Sequence, residues 1–577
     1  MMKTRPIVAG LALAALFFAI LLPPEAYPDG KLAVILSATF AFFISLSERR
    51  IHPAYLYGGV LGFGFLFLHA FMISVDPYRS LEFTSVLWAY YCLFGFFRYA
   101  GFEPFKPVAI CMVVLCVIVS GYGLYQYFWG FDQLYSYIFY AASDQVVKVP
   151  ALERIATKRV FSTLALPGTL WGFLVIALPF HAALWTEQWK RPQLVRTLLA
   201  AGATLLFATG LLTRSFGFLL GLFTLACAWL VLRHRRIAMS SRGCEPGAKP
   251  SIRWNRITAV LIVLVIAGGT FYSARRGVIE GANPLSLRLK NWMSAWTIFA
   301  ANPMGTGLNT YGVVYSRYML PGANETQYTH NTPLQLLSEL GYPVLIAAAA
   351  LLLIALRARR RGEFRDMPLF LLLALSVWVV HNLIDINIYF PSLGVVGAIL
   401  VGILLRKTPV ATDSHQAHEA PQETPAIATV LTVAAGLGIL VFSCLVMVSS
   451  ELQFRAKAEF EENRFQVAAE TLEQAKSLMP LNSSLFHDSG DVNLNLYHKR
   501  HDAKYLQVAT ESFRRAVALS PEKAGSHTGL SLCLASANLV KEAQDEIRTA
   551  ERLYPDNTYV HSISRLLQQR RAGIPFK

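Results

Sequence analysis

Apolar residues along this chain gather into runs of roughly 17 to 22 positions, the length that crosses a bilayer as a helix. The runs fall at residues 6–22, 32–47, 54–74, 81–97, 107–128, 166–186, 195–212, 215–232, 257–273, 342–356, 368–386, 389–405 and 427–449. They predict about thirteen spans of an all-α, polytopic bundle. The first run is followed by PPEAYPDG, which has no small-residue cleavage site, and is therefore expected to remain as a span. After residue 450 the pattern changes to amphipathic helices of period 3.6.

That last region repeats. AAETLEQAKSLMP, ATESFRRAVALSP and AQDEIRTAERLYP align, placing Ala475, Ala516 and Ala550 five residues before Pro480, Pro521 and Pro555. The prolines are 41 and then 34 residues apart, and 34 is the tetratricopeptide period. The longer interval accommodates extra residues around YHKRHDA. Small alanines let paired helices approach, and a proline ends the second helix of each pair. Such arrays bind or position partners, or serve as a structural cap. The expected organisation is a membrane domain over 1–426 with a large loop at 274–341, a final span at 427–450, and a repeat domain over 451–577.

Composition fits a membrane chain: 54% hydrophobic, 15% charged, mean hydropathy +0.42 over 577 residues. With the N-terminus cytoplasmic, about 23 cationic side chains lie in inner loops and about 12 in outer ones. Residues 129–165, 274–341 and everything after 449 are then periplasmic. The net charge of +16 sits almost wholly in the membrane part, since the C-terminal part holds 17 basic and 16 acidic residues. This reflects topology and anion handling, and calls for no nucleic acid. Of seven cysteines, only Cys533 faces the oxidising side, so no disulfide framework or cysteine metal site forms there.

Several polar residues need a reason. ATGLLTRSFGFLLG sets Arg214 in a tight turn on the outer side, either reaching lipid phosphate or binding a substrate anion. In NPLSLRLKNWMSAWTIFAANPMGTGLNTYG a helix is predicted from about Leu285 to Ala300, with Arg288, Trp292 and Trp296 on one face and Lys290 to the side. It is either an interfacial helix or a surface where a guanidinium holds phosphate while indoles stack on sugars. In THNTPLQLLSELG, Asn331 or Thr332 can cap a helix that turns Leu334, Leu337 and Leu340 inward and stops at Gly341, with His330 just before its start. VVHNLIDINIYFP places His381 and Asp385 one turn apart near the outer end of a span, for pairing or catalytic support.

In this order, TRSFGFLLG, R-x-K-x-W-x-x-A-W with ANPMGTGLNTYG, and THNTPLQLLSELG resemble the O-antigen ligase and O-antigen polymerase superfamily of bacterial envelopes. The resemblance covers roughly residues 150–405, and its most specific part is the histidine block. It implies an inner-membrane glycosyltransferase that moves a glycan from undecaprenyl diphosphate to lipid A core. The alternatives are a lipid-linked glycan (O-antigen or exopolysaccharide polymerase) or pilin as acceptor. It implies His330 as the base and Arg214 and Arg288 on the diphosphate, with Lys290, Trp292, Asn331 and Asp385 in support. No D-x-D run or carboxylate cluster marks a metal in the outer loops, so no metal or other cofactor is expected and arginines supply the charge. Single displacement would invert the anomeric centre. Membrane lipids, and a protein held by the repeat domain, are the remaining expected partners. A small-anion transporter is the rival from another class, but the strongest polar constellation lies on the outer face, away from the midplane site such carriers use.

Overall fold

The computed structural model describes residues 5–23, 27–47, 51–100, 102–141, 155–164, 166–187, 193–240, 284–360, 368–406 and 426–571. The expected span at 257–273, the first ten residues of the 274–341 loop, residues 142–154 and Cys244 lie outside them. Among the described residues the regular structure is helical. Six helices among the described residues are long and apolar enough to cross a membrane: Pro28–Ser47, Pro53–Met72, Phe105–Ser136, Pro167–Thr186, Gln193–Leu212 and Ala426–Glu461. Shorter apolar helices, Ala9–Leu21, Gly217–Val231, Tyr342–Ile354, Leu369–Ile384 and Pro391–Leu404, fall on further expected spans. The helix Pro77–Tyr99 covers 81–97 and is more polar, with Arg79 and Glu82 in its first turns. The chain is thus a multi-pass membrane protein.

It divides into two compact units. The first comprises Met1–Pro53, Ala89–Pro284 and Ile354–Thr424. At its centre the Pro167–Glu187 helix packs against Phe105–Tyr125, Gln193–Leu212, Phe216–Ser240 and Leu369–Ile384. Leu170, Phe173, Leu174, Ile176 and Phe180 on it are fully buried. The Phe105–Tyr125 helix runs into a π-helical turn, Gln126–Gly130. There Gln126 Oε1 accepts the backbone N–H groups of Phe161 and Ser162 at 3.0 and 2.9 Å. This amide thereby satisfies two donors of an irregular segment that has no ladder of its own.

The second unit comprises Ala54–Trp88, Leu285–Leu353 and Pro425–Lys577. Its last part alternates short helices: Phe465–Leu478, Ser483–Arg500, Ala503–Leu519, Ala524–Ser536, Val540–Leu553 and Thr558–Arg571. Each aligned alanine is fully buried. Each also closes its helix in the same way, Ala475, Ala516 and Ala550 accepting from the N–H of Met479, Ser520 and Tyr554 at 3.1, 3.0 and 2.9 Å. The proline follows one residue later, where an N–H is no longer needed. Between them sits Phe513, fully buried, a ring whose removal from water contributes about 2 to 3 kcal/mol.

The longer first interval is not a loop. The Ser483–Arg500 helix has 18 residues where its counterpart Ala524–Ser536 has 13. Ala503–Leu519 likewise has 17 where Val540–Leu553 has 14. The extra residues lengthen both helices, and the turn at YHKRHDA is made tight by His501 in a left-handed conformation, φ 53°. Asp502 then caps the next helix by accepting from Lys504 N at 3.0 Å.

The boundary expected near residue 450 falls inside one unbroken helix. Ala426–Glu461 is 36 residues long, about 54 Å at 1.5 Å per residue. A hydrocarbon core of about 30 Å uses little more than half of that. The remainder packs against Phe465–Leu478 as the first helix of the first repeat pair.

Candidate active site

Arg214 occupies the turn between the Gln193–Leu212 and Phe216–Ser240 helices with a left-handed backbone, φ 47°. Its exposed guanidinium donates from Nη1 to Thr157 O at 2.9 Å. The segment that supplies Thr157 is the one Gln126 holds, and it adds cations of its own. Arg159 Nε donates to Thr213 O at 3.3 Å, and Lys158 Nζ lies 3.7 Å from Asp132. Arg159 was missed in the sequence; the available signal was the TKR run in a loop expected to be periplasmic, where basic residues are disfavoured. In the same unit Asp385 is buried at the end of the Leu369–Ile384 helix, where its Oδ1 accepts from Ile386 N at 3.1 Å. His381 is held by Asn387 through Nδ1 and stands edge-on to Trp171, ring centroids 4.1 Å apart.

The other unit holds the remaining residues. The helix predicted over 285–300 is observed as Pro284–Ala301. Arg288 is half-buried on it and takes no hydrogen bond or ion pair from any described residue. Trp292 buries its indole Nε1 without a hydrogen-bond partner among the described residues. That is a donor whose desolvation costs about 1 to 3 kcal/mol while unmet. Trp296 on the same stripe is exposed and edges onto Phe299 at 5.5 Å. Lys290 is committed to a neighbouring turn, donating to Pro321 O at 2.9 Å.

His330 also has a left-handed backbone, φ 54°. Asn331 follows as the N-cap of Thr332–Leu340, accepting from Leu334 N at 2.9 Å, with Pro333 in the first turn. The expected inward face differs from the observed one. Leu337 is buried, but Leu334 and Leu340 are only half-buried, and the fully buried side chains are Gln335, Ser338 and Glu339. The reason lies in what faces them. The 302–311 loop turns its backbone donors toward this helix, and a donor in the interior needs an acceptor more than it needs a methyl group. Glu339 Oε2 accepts from Asn309 N at 2.6 Å and Oε1 from Tyr311 N at 3.0 Å, while its carbonyl accepts from Gly307 N at 2.9 Å.

The same helix fixes the histidine. Gln335 Oε1 accepts from Thr329 N at 3.0 Å, and Thr329 Oγ1 donates to Asn331 O at 2.7 Å, bracing both neighbours of His330. Toward the arginine, Tyr311 and Tyr315 donate their hydroxyls to the carbonyl and side-chain oxygens of the buried Asn291 at 3.1 and 2.7 Å. Burial pushes the Tyr315 phenol up to about 12, so it stays a donor. A continuous set of hydrogen bonds therefore runs from the Arg288 helix through Asn291, Tyr311, Glu339 and Gln335 to the His330 turn. Gly305 (φ 88°) and Gly341 (φ 67°) allow the approach: a Cβ on either would lie 2.2 Å from a carbonyl oxygen, Glu339 or Pro303. Among the described residues no group of three or more His, Cys, Asp or Glu is placed to hold a metal ion.

Two solved structures are similar to this chain at low identity. One is the first TPR of Spaghetti (RPAP3) bound to an HSP90 peptide, at 18% identity over 22% of this chain and 94% of that one, TM-score 0.20. Another is the APC/C hetero-tetramer Cut9-Hcn1, at 13% identity over 94% and 90%, TM-score 0.19. Likeness at that level carries nothing about function, and the repeat architecture rests on the helix pairs and buried alanines above. The curated proteins give no match. A family model described as O-antigen ligase matches residues 201–349. That stretch includes Arg214, Arg288, Lys290, Trp292, His330 and Asn331, and ends before Asp385. Residues 201–349 of this membrane protein are similar to the O-antigen ligase family.

Proposed function

We propose that this protein is an O-antigen ligase-type glycosyltransferase, moving a glycan from undecaprenyl diphosphate to lipid A core at the outer face of a bacterial inner membrane. The observation that carries the reading is the braced His330 turn within the O-antigen ligase match: an imidazole set in a strained backbone by a buried network that also reaches the Arg288 helix. Strain of that kind persists where the surroundings over-determine it, and it gathers at functional sites.

In this reading His330 removes the proton of the acceptor hydroxyl as that oxygen attacks the anomeric carbon. The new C–O bond forms as the bond to the carrier phosphate breaks, and the diphosphate leaves with its electron pair. One displacement inverts the anomeric centre. Arg214 and Arg288 would meet the charge growing on the diphosphate without a metal ion. Trp292 would give its buried N–H to a sugar or phosphate oxygen. Lys290, Asn331 and Asp385 enter as supports, since each holds backbone. The repeat domain would hold a protein partner or orient the acceptor.

The test replaces His330, Arg214 and Arg288 separately with alanine and assays transfer from a polyprenyl-diphosphate glycan to lipid A core, with membrane insertion monitored. Loss of transfer in an inserted protein is expected; full transfer in all three variants would remove the site. Activity abolished by a chelator and restored by magnesium would defeat the metal-free mechanism. Lipopolysaccharide of a deletion strain showing core without chains fits a ligase, whereas one repeat per core indicates a polymerase.

A further inference from the structure

Away from His330, a polar cleft of about 330 Å³ opens where the turn after Pro53–Met72, the end of the Ala426–Glu461 helix and the first repeats meet. Three cations from three separate segments line it: Arg79, Lys457 and Lys523. Asp76, Glu82 and Asp488 share the cleft, and each of these residues has partners of its own. Asp76 accepts the Arg79 N–H at 3.2 Å and the Ser483 hydroxyl at 3.1 Å. Asp488 accepts the Gln453 amide at 2.7 Å and lies 3.5 Å from Lys457 Nζ.

Lys523 is placed differently. Its Nζ donates to Ser484 Oγ at 3.3 Å and makes no ion pair with a carboxylate among the described residues. Burial, and then the charge of Arg79, hold its amine below the usual range. Asp488 and Asp76 act the other way without restoring it, and an ammonium taken partly out of water beside other cations is stabilised further by an added anion. Arg79 has room to contribute: its contacts are long, 3.9 Å to Asp76 and 3.5 Å to Gln327.

We infer that Arg79, Lys457 and Lys523 form a binding site for a phosphate group, lying where the last membrane helix becomes the first repeat helix. Three donors converging from separate segments suit the several oxygens of a phosphate, which each can meet by a charge-assisted hydrogen bond. The phosphate has two possible carriers, a phospholipid headgroup or a phosphorylated sugar. The inference concerns binding alone and stands apart from the transfer chemistry proposed for His330.

The test uses the full-length protein in a neutral, phosphate-free detergent. Inorganic phosphate is titrated in and followed by calorimetry, while native mass spectrometry counts retained phosphatidylglycerol. Saturable phosphate binding is expected, roughly tenfold weaker in Lys523→Gln and in Lys457→Gln and restored by Lys523→Arg. Lys457 is 61% exposed, so its replacement leaves the fold intact and keeps the test sound if Lys523→Gln misfolds. Phosphatidylglycerol lost in the same variants identifies a headgroup site; loss of inorganic phosphate binding alone identifies a sugar phosphate. No saturable binding by the wild type, or equal binding of both probes by the wild type and the two glutamine variants, overturns the inference.

Discussion

Gln335 and Glu339 lie one turn apart on the Thr332–Leu340 helix, and Gln335 Nε2 donates to Glu339 Oε1 at 3.2 Å inside a fully buried pocket. One end of this pair holds the segment before His330 and the other holds the turn at Asn309. Glu339→Gln sets an amide N–H against a backbone N–H, leaving at least one buried donor unmet. The expected loss is about 2 to 4 kcal/mol of stability. Melting of the purified protein measures it, and transfer should fall even in the fraction that remains folded.

The left-handed backbone of His330 gives a second, opposite-signed expectation. His330→Gly removes the side chain that disfavours φ 54°. The variant should be as stable as the wild type or about 0.5 to 1 kcal/mol more so, and should lose transfer entirely. Residual activity near the wild-type level would show that the imidazole is not the base.

Gly341 tests the same region through space. Its φ is 67°, and a Cβ there would lie 2.2 Å from Pro303 O. Gly341→Ala must push the 302–310 loop off the helix end, at a cost of about 2 to 4 kcal/mol. Limited proteolysis should then cut near residue 305 where the wild type resists.

The repeat domain carries a titratable group of its own. Burial, and then the charge of Lys523, hold the His487 imidazole down at about 4, below the unfolded value near 6.5. The folded state therefore binds fewer protons between those values. The His487 contribution is complete above pH about 6.5 and is lost as pH falls toward 4, by about 3 kcal/mol at most. Asp491, 3.5 Å from His487 Nε2, moves the other way, pushed up to about 7 by burial and by Asp488. Its side chain is 51% exposed, so water screens that effect. Comparing His487→Gln with the wild type by thermal unfolding of the full chain isolates the histidine. The wild type should lose stability relative to the variant as the solution is acidified.

Much of the architecture was legible because it follows from periodicity. The apolar runs of bilayer length that fall within the described residues are helices, Ala475, Ala516 and Ala550 are the buried contacts of the repeat, and Asn331 is a cap. The Arg214 turn was legible as a turn, but its left-handed backbone was not, since no glycine or asparagine marks it. The buried face of Thr332–Leu340 was legible only in part: Leu337 is buried and Leu334 packs against the cluster of Ile298, Tyr311 and Tyr315, but Gln335, Ser338 and Glu339 are buried more completely. Three leucines at helical spacing suggest an apolar interior, and only the fold shows that the opposing element is a loop presenting N–H groups. The helix that carries Arg288 and Trp292 was legible from its spacing, whereas Asn291 between them, which anchors the helix through two tyrosines, carries no pattern at all.

The unbroken Ala426–Glu461 helix has a mechanical meaning. With no proline, glycine pair or linker at the membrane surface, the repeat domain has no pivot there, and a load on the repeats is transmitted as torque along a stiff rod into the bilayer. A ligand or protein that grips those repeats therefore acts as a hand on a lever whose short arm is embedded in lipid.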